Sequence, residues 1–524
     1  MTQNQGFIRN ATGLVRAFNW YDALIISLAV TGPTLFGISS QIGYVAPNGP
    51  GADFVLSAGI GLLFMIPLGV MYYIFSAHMP RSGADYIWIG RSLNPIIGFI
   101  GGWAMFISFI ALLASASTTE PFVVIPDVAV SLGHIWNNPG LITWGQNLPS
   151  NTTGVFAFTM LTIVLGVLIM SFGPKFFSRT MLVLGGIIFL ATLIFIGALA
   201  FASNSSFQSG LSTYTNGNVT YNGVVAQANT AGFSFTPIAT SATLLAIPFG
   251  VLLFNGFNYS TYVSGEVRNA KRSMLWGVLV ALAICGILDL VGIFFAMRME
   301  GYQFVQAAFF LYGKGTPPLG AAPWTPLFIP AVLTNGYLSS FVEIGFLLFN
   351  IWWAAGLAIS ASRYVFAFSF DRVIPSFFAD VNARLRVPIK ATILTLVLAA
   401  ILVYFSVYTS YISTLLNSVT IWTIVWMILG VSAIVFPFRR KSMAQGLPGG
   451  RWMLPIFGAL SIVAMGATFY WSLTNSAIGP TTPASSALLI AIFASGAVIY
   501  LISYFYFKSK NIDLGIILKE IPPE

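Results

Sequence analysis

Twelve long apolar stretches, at 22–46, 53–79, 96–124, 153–172, 180–202, 241–265, 274–298, 337–369, 388–407, 410–437, 453–474 and 484–507, dominate this 524-residue chain. A helix that crosses a bilayer needs about 20 mostly apolar residues. In hydrocarbon every backbone N–H and C=O must be satisfied within the protein, which leaves helices or closed barrels as spanning structures. Runs of this length predict an all-α polytopic membrane protein with 12 transmembrane helices. The third and eighth runs exceed what a bilayer requires and are expected to tilt or to project beyond it. Composition agrees: 57% of residues are hydrophobic and only 7% charged, with a mean hydropathy of +0.85. Soluble domains carry about 25% charged residues, so a soluble globular protein, a disordered chain and a nucleic-acid-binding domain are excluded.

The net charge of +9 lies in the short connections between runs. With the N-terminus placed in the cytoplasm, all of the 23 basic residues except Arg298 and Lys314 fall on the cytoplasmic side, as the positive-inside rule asks. The expected plan is a cytoplasmic segment 1–21, one membrane domain 22–507 and a cytoplasmic tail 508–524. The first run has no small-residue cleavage site and reads as a retained span. The plasma membrane is the expected location. Long polar outer loops are expected at 125–152, 203–240 and 299–336. Asn151, Asn204 and Asn218 there fit the glycosylation triplet, a pattern common by chance. A single cysteine, Cys285, and two histidines, His78 and His134, allow no disulfide and argue against metal or haem cofactors. No phosphate-binding loop, zinc-protease helix or nucleophile elbow is present, so neither an enzyme nor a cofactor is expected.

Two runs are broken at their centres, by Thr31-Gly-Pro-Thr-Leu-Phe-Gly37 in the first and by Pro248-Phe-Gly-Val-Leu-Leu-Phe-Asn-Gly-Phe-Asn258 in the sixth. Such breaks release backbone groups that a bound solute or ion can satisfy, anions at half-helix N-termini and cations at carbonyls. Glycine and proline are frequent in membrane helices generally. Two breaks five runs apart are instead the spacing of an inverted repeat, runs 1–5 (22–202) against runs 6–10 (241–437), with 453–474 and 484–507 appended.

Four stretches resemble the amino acid–polyamine–organocation superfamily of permeases. They are Gly13-Leu-Val-Arg-Ala-Phe-Asn-Trp-Tyr-Asp22; Met79-Pro-Arg-Ser-Gly-Ala-Asp-Tyr86 with Gly98-Phe-Ile-Gly-Gly-Trp103; Phe254-Asn-Gly-Phe-Asn258 with Gly265-Glu-Val-Arg-Asn-Ala-Lys-Arg272; and Ser362-Arg-Tyr-Val-Phe-Ala367 with Phe370-Asp-Arg-Val-Ile-Pro375 and Val387-Pro388. The resemblance implies a five-plus-five inverted-repeat fold, like that of the leucine transporter. In it, spans 1, 2, 6 and 7 move against a scaffold of spans 3, 4, 8 and 9. It also implies that the first break holds a substrate carboxylate and the sixth an amine. The matching positions are Thr31, Gly32, Pro33, Thr34, Leu35 and Gly37, and Leu252, Phe254, Asn255, Gly256 and Asn258. Thr34 stands where the family has a second glycine, and Pro33 has no N–H to donate. Asn258 replaces a glutamate that couples protons in some members.

Ionisable residues are expensive in a bilayer. Glu120, Asp289 and Glu343 fall in runs, toward the outer third. They are either structural acids that are solvated or paired, or proton-coupling groups, with Asp289 and Glu343 the better choices. Glu266 is the matching gate acid, with Arg81, Arg268 or Arg363 as its partner. Ser360 and Ser362 offer hydroxyls for sodium, but Ala358 and Ile359 occupy the matching sodium positions. The ion favoured is therefore the proton. Segment 80–95 reads as a short interfacial helix. The expected function is a secondary-active permease for amino acids or related organic cations, working by alternating access. The alternatives are a proton-translocating subunit of a larger complex and a substrate sensor that does not transport.

Overall fold

The structure, a computed structural model, describes residues 13–409 and 418–511. Residues 1–12 and 512–524 of the predicted terminal segments, and the start of the tenth run at 410–417, lie outside the described residues. Helix is the regular structure of the described residues, apart from a single parallel bridge between Phe18 and Val267.

In chain order the helices are α1 Trp20–Thr31, α2 Leu35–Asn48, α3 Phe54–His78, α4 Ala84–Ser92, α5 Pro95–Thr119, α6 Ile125–Ile135, α7 Pro139–Asn147, α8 Thr152–Ser171, α9 Pro174–Phe201, α10 Asn204–Tyr214 and α11 Tyr221–Thr230. There follow α12 Thr240–Leu245, α13 Ile247–Leu253, α14 Ala270–Met274, α15 Ala281–Glu300, α16 Tyr302–Gly313, α17 Gly336–Phe370, α18 Ile389–Tyr408, α19 Ser418–Arg439, α20 Met453–Ser472 and α21 Pro483–Lys508.

Eleven segments are long and apolar enough to cross a membrane, among the described residues. The sixth predicted run, 241–265, is the one missing from these, because it is not one helix. It is cut into α12, α13 and a 3-10 helix at Tyr259–Glu266. Pro248 and the turn through Gly256 explain the cuts, since proline lacks an N–H and Gly256 sits at φ +111°. The third run is longer than predicted, because α5 passes through a π-turn at Glu120–Val124 directly into α6, giving Pro95–Ile135.

Helix starts follow the side chains that can take up orphan amides. Asn94 accepts from Ile96 N–H before Pro95, Asn335 from Tyr337 and Leu338, and Thr482 with Ser485 forms a reciprocal cap before α21. The segments predicted as outer loops hold α6, α7, α10, α11 and α16, so much of their backbone is satisfied by helix. The segment after α3 is helical as expected. All nine residues of α4 are buried, however, whereas an interfacial helix would expose one face. Protein partners for Asp85 and Arg91 replace the solvent that an interfacial helix would use.

Close helix contacts run over glycine. A Cβ on Gly61 of α3 would stand 2.4 Å from the Gly250 carbonyl carbon of α13, and one on Gly250 would stand 2.5 Å from the Ser57 oxygen. Small residues let membrane helices approach to backbone contact. Gly61→Val therefore overpacks the α3–α13 contact and should destabilise the fold by about 1–3 kcal/mol. Thermal unfolding of the purified protein in detergent checks this; Gly59→Ala, at a residue whose added Cβ meets only Leu290 at 4.0 Å, should leave the transition in place.

Candidate functional site

The two breaks meet. α1 ends at Thr31 and Gly32 turns left-handed at φ +71°, its N–H bonded to the Leu28 carbonyl. A Cβ on Gly32 would lie 2.8 Å from the Phe349 ring, and one on Gly256 would lie 2.5 Å from the backbone of Val30 and Thr31. Both glycines are thus required twice, for backbone conformation and for space.

The released groups can be followed one at a time. The Thr34 N–H goes to the Gly32 carbonyl at 2.7 Å and the Leu35 N–H to Thr192 Oγ1 at 3.2 Å. The first bond within α2 runs from Ile38 N–H to Thr34. This leaves the N–H groups of Phe36 and Gly37 without an acceptor among the described residues. On the other break, Phe254 and Asn255 N–H groups take the Gly250 and Leu252 carbonyls. The Leu253 carbonyl at the end of α13 is left without a donor among the described residues. A positive helix start and a negative helix end therefore border one space.

That space is a cavity of about 900 Å³. Thr31, Phe36, Gly37, Ser40 and Gln41 line one side, and Leu252, Leu253 and Asn255 another. Phe349, Asn350 and Trp353 of α17, with Trp324 and Tyr44, complete an aromatic wall. Phe36 stacks on Phe349 at 4.5 Å between centroids. Among the described residues, no Asp, Glu, Lys, Arg or His stands on the wall. The cavity extends to Pro47, Asn48, Thr409 and Ser476, away from the end of the bundle where α1 begins.

Of the residues singled out in the sequence, Thr31, Gly37, Leu252 and Asn255 are on the wall. Gly32, Pro33 and Thr34 form the turn between α1 and α2, Leu35 opens α2, and Phe254, Gly256 and Asn258 form the turn after α13. The hydroxyls of Thr31 and Thr34 are bonded to the carbonyls of Ser27 and Gly32. Asn258 is buried, and its amide oxygen and nitrogen have no partner among the described residues.

Asp289 of α15 is fully buried, with both oxygens unpartnered among the described residues. A Cβ on Gly37 would lie 3.1 Å from Asp289 Oδ1, so this carboxyl looks onto the first turn of α2. All three acids are buried rather than solvated. Glu343 is fully buried and accepts from Ser131 at 2.6 Å, and Glu120 is buried and accepts from Asn350 Nδ2 at 2.5 Å. Asp127, which the sequence reading passed over, interacts electrostatically with Glu343 across α6 and α17. The Glu120–Asn350 link was also missed, since the two are 230 residues apart; the proline after Glu120 was the one local signal.

The end of the bundle where α1 begins, here the N-terminal face, is closed. Phe18 N–H bonds to the Glu266 carbonyl at 3.0 Å and Arg268 N–H to the Phe18 carbonyl at 2.9 Å. The partner of Glu266 is Arg363. Its Nε donates to Oε1 at 2.7 Å and its Nη2 to Oε2 at 2.8 Å, with both residues buried. Arg268 and Arg81 instead bond the carbonyls of Arg16 and Pro80. Ser360 donates to Gly356 and Tyr259 carbonyls, and Ser362 to Ile359 while accepting from Arg363. A guanidinium beside Ser362 opposes a cation there. No group of three or more His, Cys, Asp or Glu residues suited to a metal occurs among the described residues.

Removing one partner of a buried ion pair strands the other charge, at a cost of about 3–5 kcal/mol. Arg363→Met alone should therefore lower the thermal unfolding midpoint more than Glu266→Gln and Arg363→Met combined. A double mutant no better than the single would remove the pairing argument.

A family model described as amino acid permease matches residues 18–494. A methylthioribose transporter of Bacillus subtilis (strain 168) is 23% identical over 387 residues, 73% of each chain. An uncharacterised protein of the Sulfolobus islandicus rod-shaped virus 1 is 21% identical over 388 residues, 73% of this chain and 72% of its own. Spread over nearly all of the described helices, with two broken segments around one cavity, the match extends well beyond the four motifs: the chain belongs to the amino acid permease family of the amino acid–polyamine–organocation superfamily, and is a membrane transporter rather than an enzyme.

Proposed function

We propose that this transporter is a secondary-active permease that binds a small solute with no net charge, an amino acid in class, between the two broken helices. The observation that carries this reading is the cavity between the start of α2 and the end of α13. Amides of Phe36 and Gly37 suit a carboxylate, and the α13 carbonyl end suits an amine. An aromatic wall without charged side chains suits an apolar substrate side chain, because a charged one would be desolvated without a partner. The cavity volume is within the range of small-molecule sites.

The polarity of the basic connections supports a cytoplasmic N-terminal face, and the plasma membrane is the proposed location. The conformation is then outward-open: the cavity reaches the far face while the Glu266–Arg363 pair closes the near one. Alternating access moves runs 1, 2, 6 and 7 against the rest. The halves 22–202 and 241–437 act as inverted repeats, with the last two helices appended. Coupling is assigned to the proton at Asp289, which faces Gly37 without a partner. Glu343 is the second choice.

A second reading has its own support. The relative from Bacillus subtilis is named a methylthioribose transporter, and an uncharged thio-sugar also suits a wall of aromatic rings with hydroxyls and amides.

Uptake into liposomes decides between them. A panel of radiolabelled amino acids and methylthioribose is offered under a proton gradient, a sodium gradient or internal exchange substrate. The proposal expects a neutral amino acid to accumulate with the proton gradient. Leu252→Trp, which fills the cavity, should cut uptake at least tenfold. Asp289→Asn should abolish proton-driven accumulation and retain exchange. Accumulation of methylthioribose alone would select the second reading; folded protein without flux would favour a sensor.

A further inference from the structure

Several side-chain hydrogens on the cavity wall are already engaged within the protein. Thr31 donates its hydroxyl to the Ser27 carbonyl at 2.7 Å, and Ser40 to the Gly37 carbonyl at 2.9 Å. On α5, Thr118 donates to the Ser115 carbonyl. Gln41 directs its Nε2 to Ser57 Oγ at 3.4 Å. All four residues line the cavity. A hydroxyl that has given its hydrogen keeps acceptor capacity, and an amide that has given its NH2 keeps its oxygen. These side chains therefore offer the cavity acceptors, while the donors beside them are the backbone amides of Phe36 and Gly37.

Asn350 is the strictest case. It stands on the α17 wall with Phe349 and Trp353, and it is buried. Its Nδ2 donates to Glu120 Oε2 at 2.5 Å. Glu120 is buried at the π-turn that joins α5 to α6, next in the chain to Thr118 and Thr119 of the wall but not on the wall itself. A carboxylate has acceptors only. Turning the amide over would set its oxygen against a carboxylate oxygen and leave both without a donor. The buried acid thus fixes which end of Asn350 faces inward. That end is Oδ1, which has no donor among the described residues and keeps access to the cavity. A solute that fills this space without a donor dries the oxygen and leaves its hydrogen bond unmade, which weakens binding.

We propose that Glu120 is a positioning residue that holds Asn350 as a fixed acceptor, and that the cavity therefore selects a solute whose side chain carries an N–H or O–H donor on an otherwise apolar body. The body lies against the rings and the donor meets Asn350 Oδ1. The inference rests on the reading that an amino acid without net charge binds between the broken helices, and it narrows that class to hydroxylated or N–H-bearing side chains.

The sign of the selection separates this arrangement from a plain aromatic pocket. Without a polar partner a hydroxyl loses its hydration uncompensated, so an apolar wall favours valine over threonine and phenylalanine over tyrosine. With Oδ1 in place the order reverses. One hydrogen bond between neutral groups changes affinity by about three- to tenfold.

The test is equilibrium binding of radiolabelled L-threonine against L-valine, and of L-tyrosine against L-phenylalanine, to the purified full-length protein in lipid nanodiscs. The quantity read is the affinity ratio within each pair, which loss of folded protein does not change. In the parent, the hydroxylated member of at least one pair should bind at least threefold more tightly. Glu120→Gln is nearly isosteric, but its amide can donate to Asn350 Oδ1 and so lets the Asn350 amide turn. Its ratio should fall to less than half that of the parent. Asn350→Leu removes the acceptor, so its ratio should drop below one while affinity for the apolar member holds or improves. A parent ratio under threefold in both pairs overturns the selection, and a ratio retained in Glu120→Gln overturns the positioning role. If Asn350→Leu does not fold, Glu120→Gln decides. Binding of all four amino acids without preference removes this inference and leaves the amino-acid reading standing. Binding of none removes that reading. The same comparison then runs between methylthioribose and its deoxy analogues, where unchanged affinity on removal of each hydroxyl, or no binding at all, overturns the fixed acceptor as well.

Discussion

Everything in this structure turns on the contact between Gly256 and the backbone of Val30 and Thr31. A continuous helix would satisfy its own amides and carbonyls and would offer a solute nothing but side chains. Breaking two helices costs backbone bonds that hydrocarbon cannot replace. The breaks persist because each is held by the other and by neighbours. Gly256 packs on the end of α1, Thr192 takes the Leu35 amide, and Gly37 lets Asp289 approach. Among the described residues, what remains unsatisfied includes two amides at the start of α2 and carbonyls at the ends of α1 and α13. In the proposed function, a solute with complementary ends takes up part of this set.

This explains what was legible in the sequence. Hydrophobic run length located the spanning helices, because the bilayer sets a minimum that few other structures reach. The paired Gly/Pro interruptions located the breaks, because backbone conformation is a local property. Glu266 stood out as the acid ending a run, and its partner was narrowed to three arginines. The choice of Arg363 depended on α17 crossing the 3-10 helix, which no local pattern reports. The sixth run misled for a related reason: its composition is that of a span, but its backbone is divided among three short helical pieces.

The features that escaped were those made by distant residues. Asp85 sat in a segment read as interfacial, since isolated charges among apolar residues normally mark a wet face. Three tyrosines from three other segments, Tyr72, Tyr262 and Tyr364, give it a dry one. Glu120 and Asn350 meet across α5 and α17 in the same way. The candidate amides also moved along the chain. The matched turn centred on Gly32 to Thr34, whereas hydrogen-bond accounting leaves Phe36 and Gly37 as donors facing the cavity.

The two ends of the molecule are held in different currencies. At the far end the cavity is bounded by aromatic rings and uncharged polar groups, whose contacts are weakly directional and can be exchanged for a solute. At the N-terminal end closure depends on buried charge: a bidentate Glu266–Arg363 pair, an Arg91–Asp371 pair and the Asp85–tyrosine junction. Burying such groups yields little net stability over an apolar seal, because desolvation offsets most of the attraction. A charged seal is nevertheless the better gate. In the proposed alternating-access cycle, water takes over its bonds when the face opens, so the open state is not penalised as an exposed apolar plug would be. A closure whose cost is nearly balanced in both states is what an alternating mechanism requires, since a small difference in binding energy must be able to reverse it.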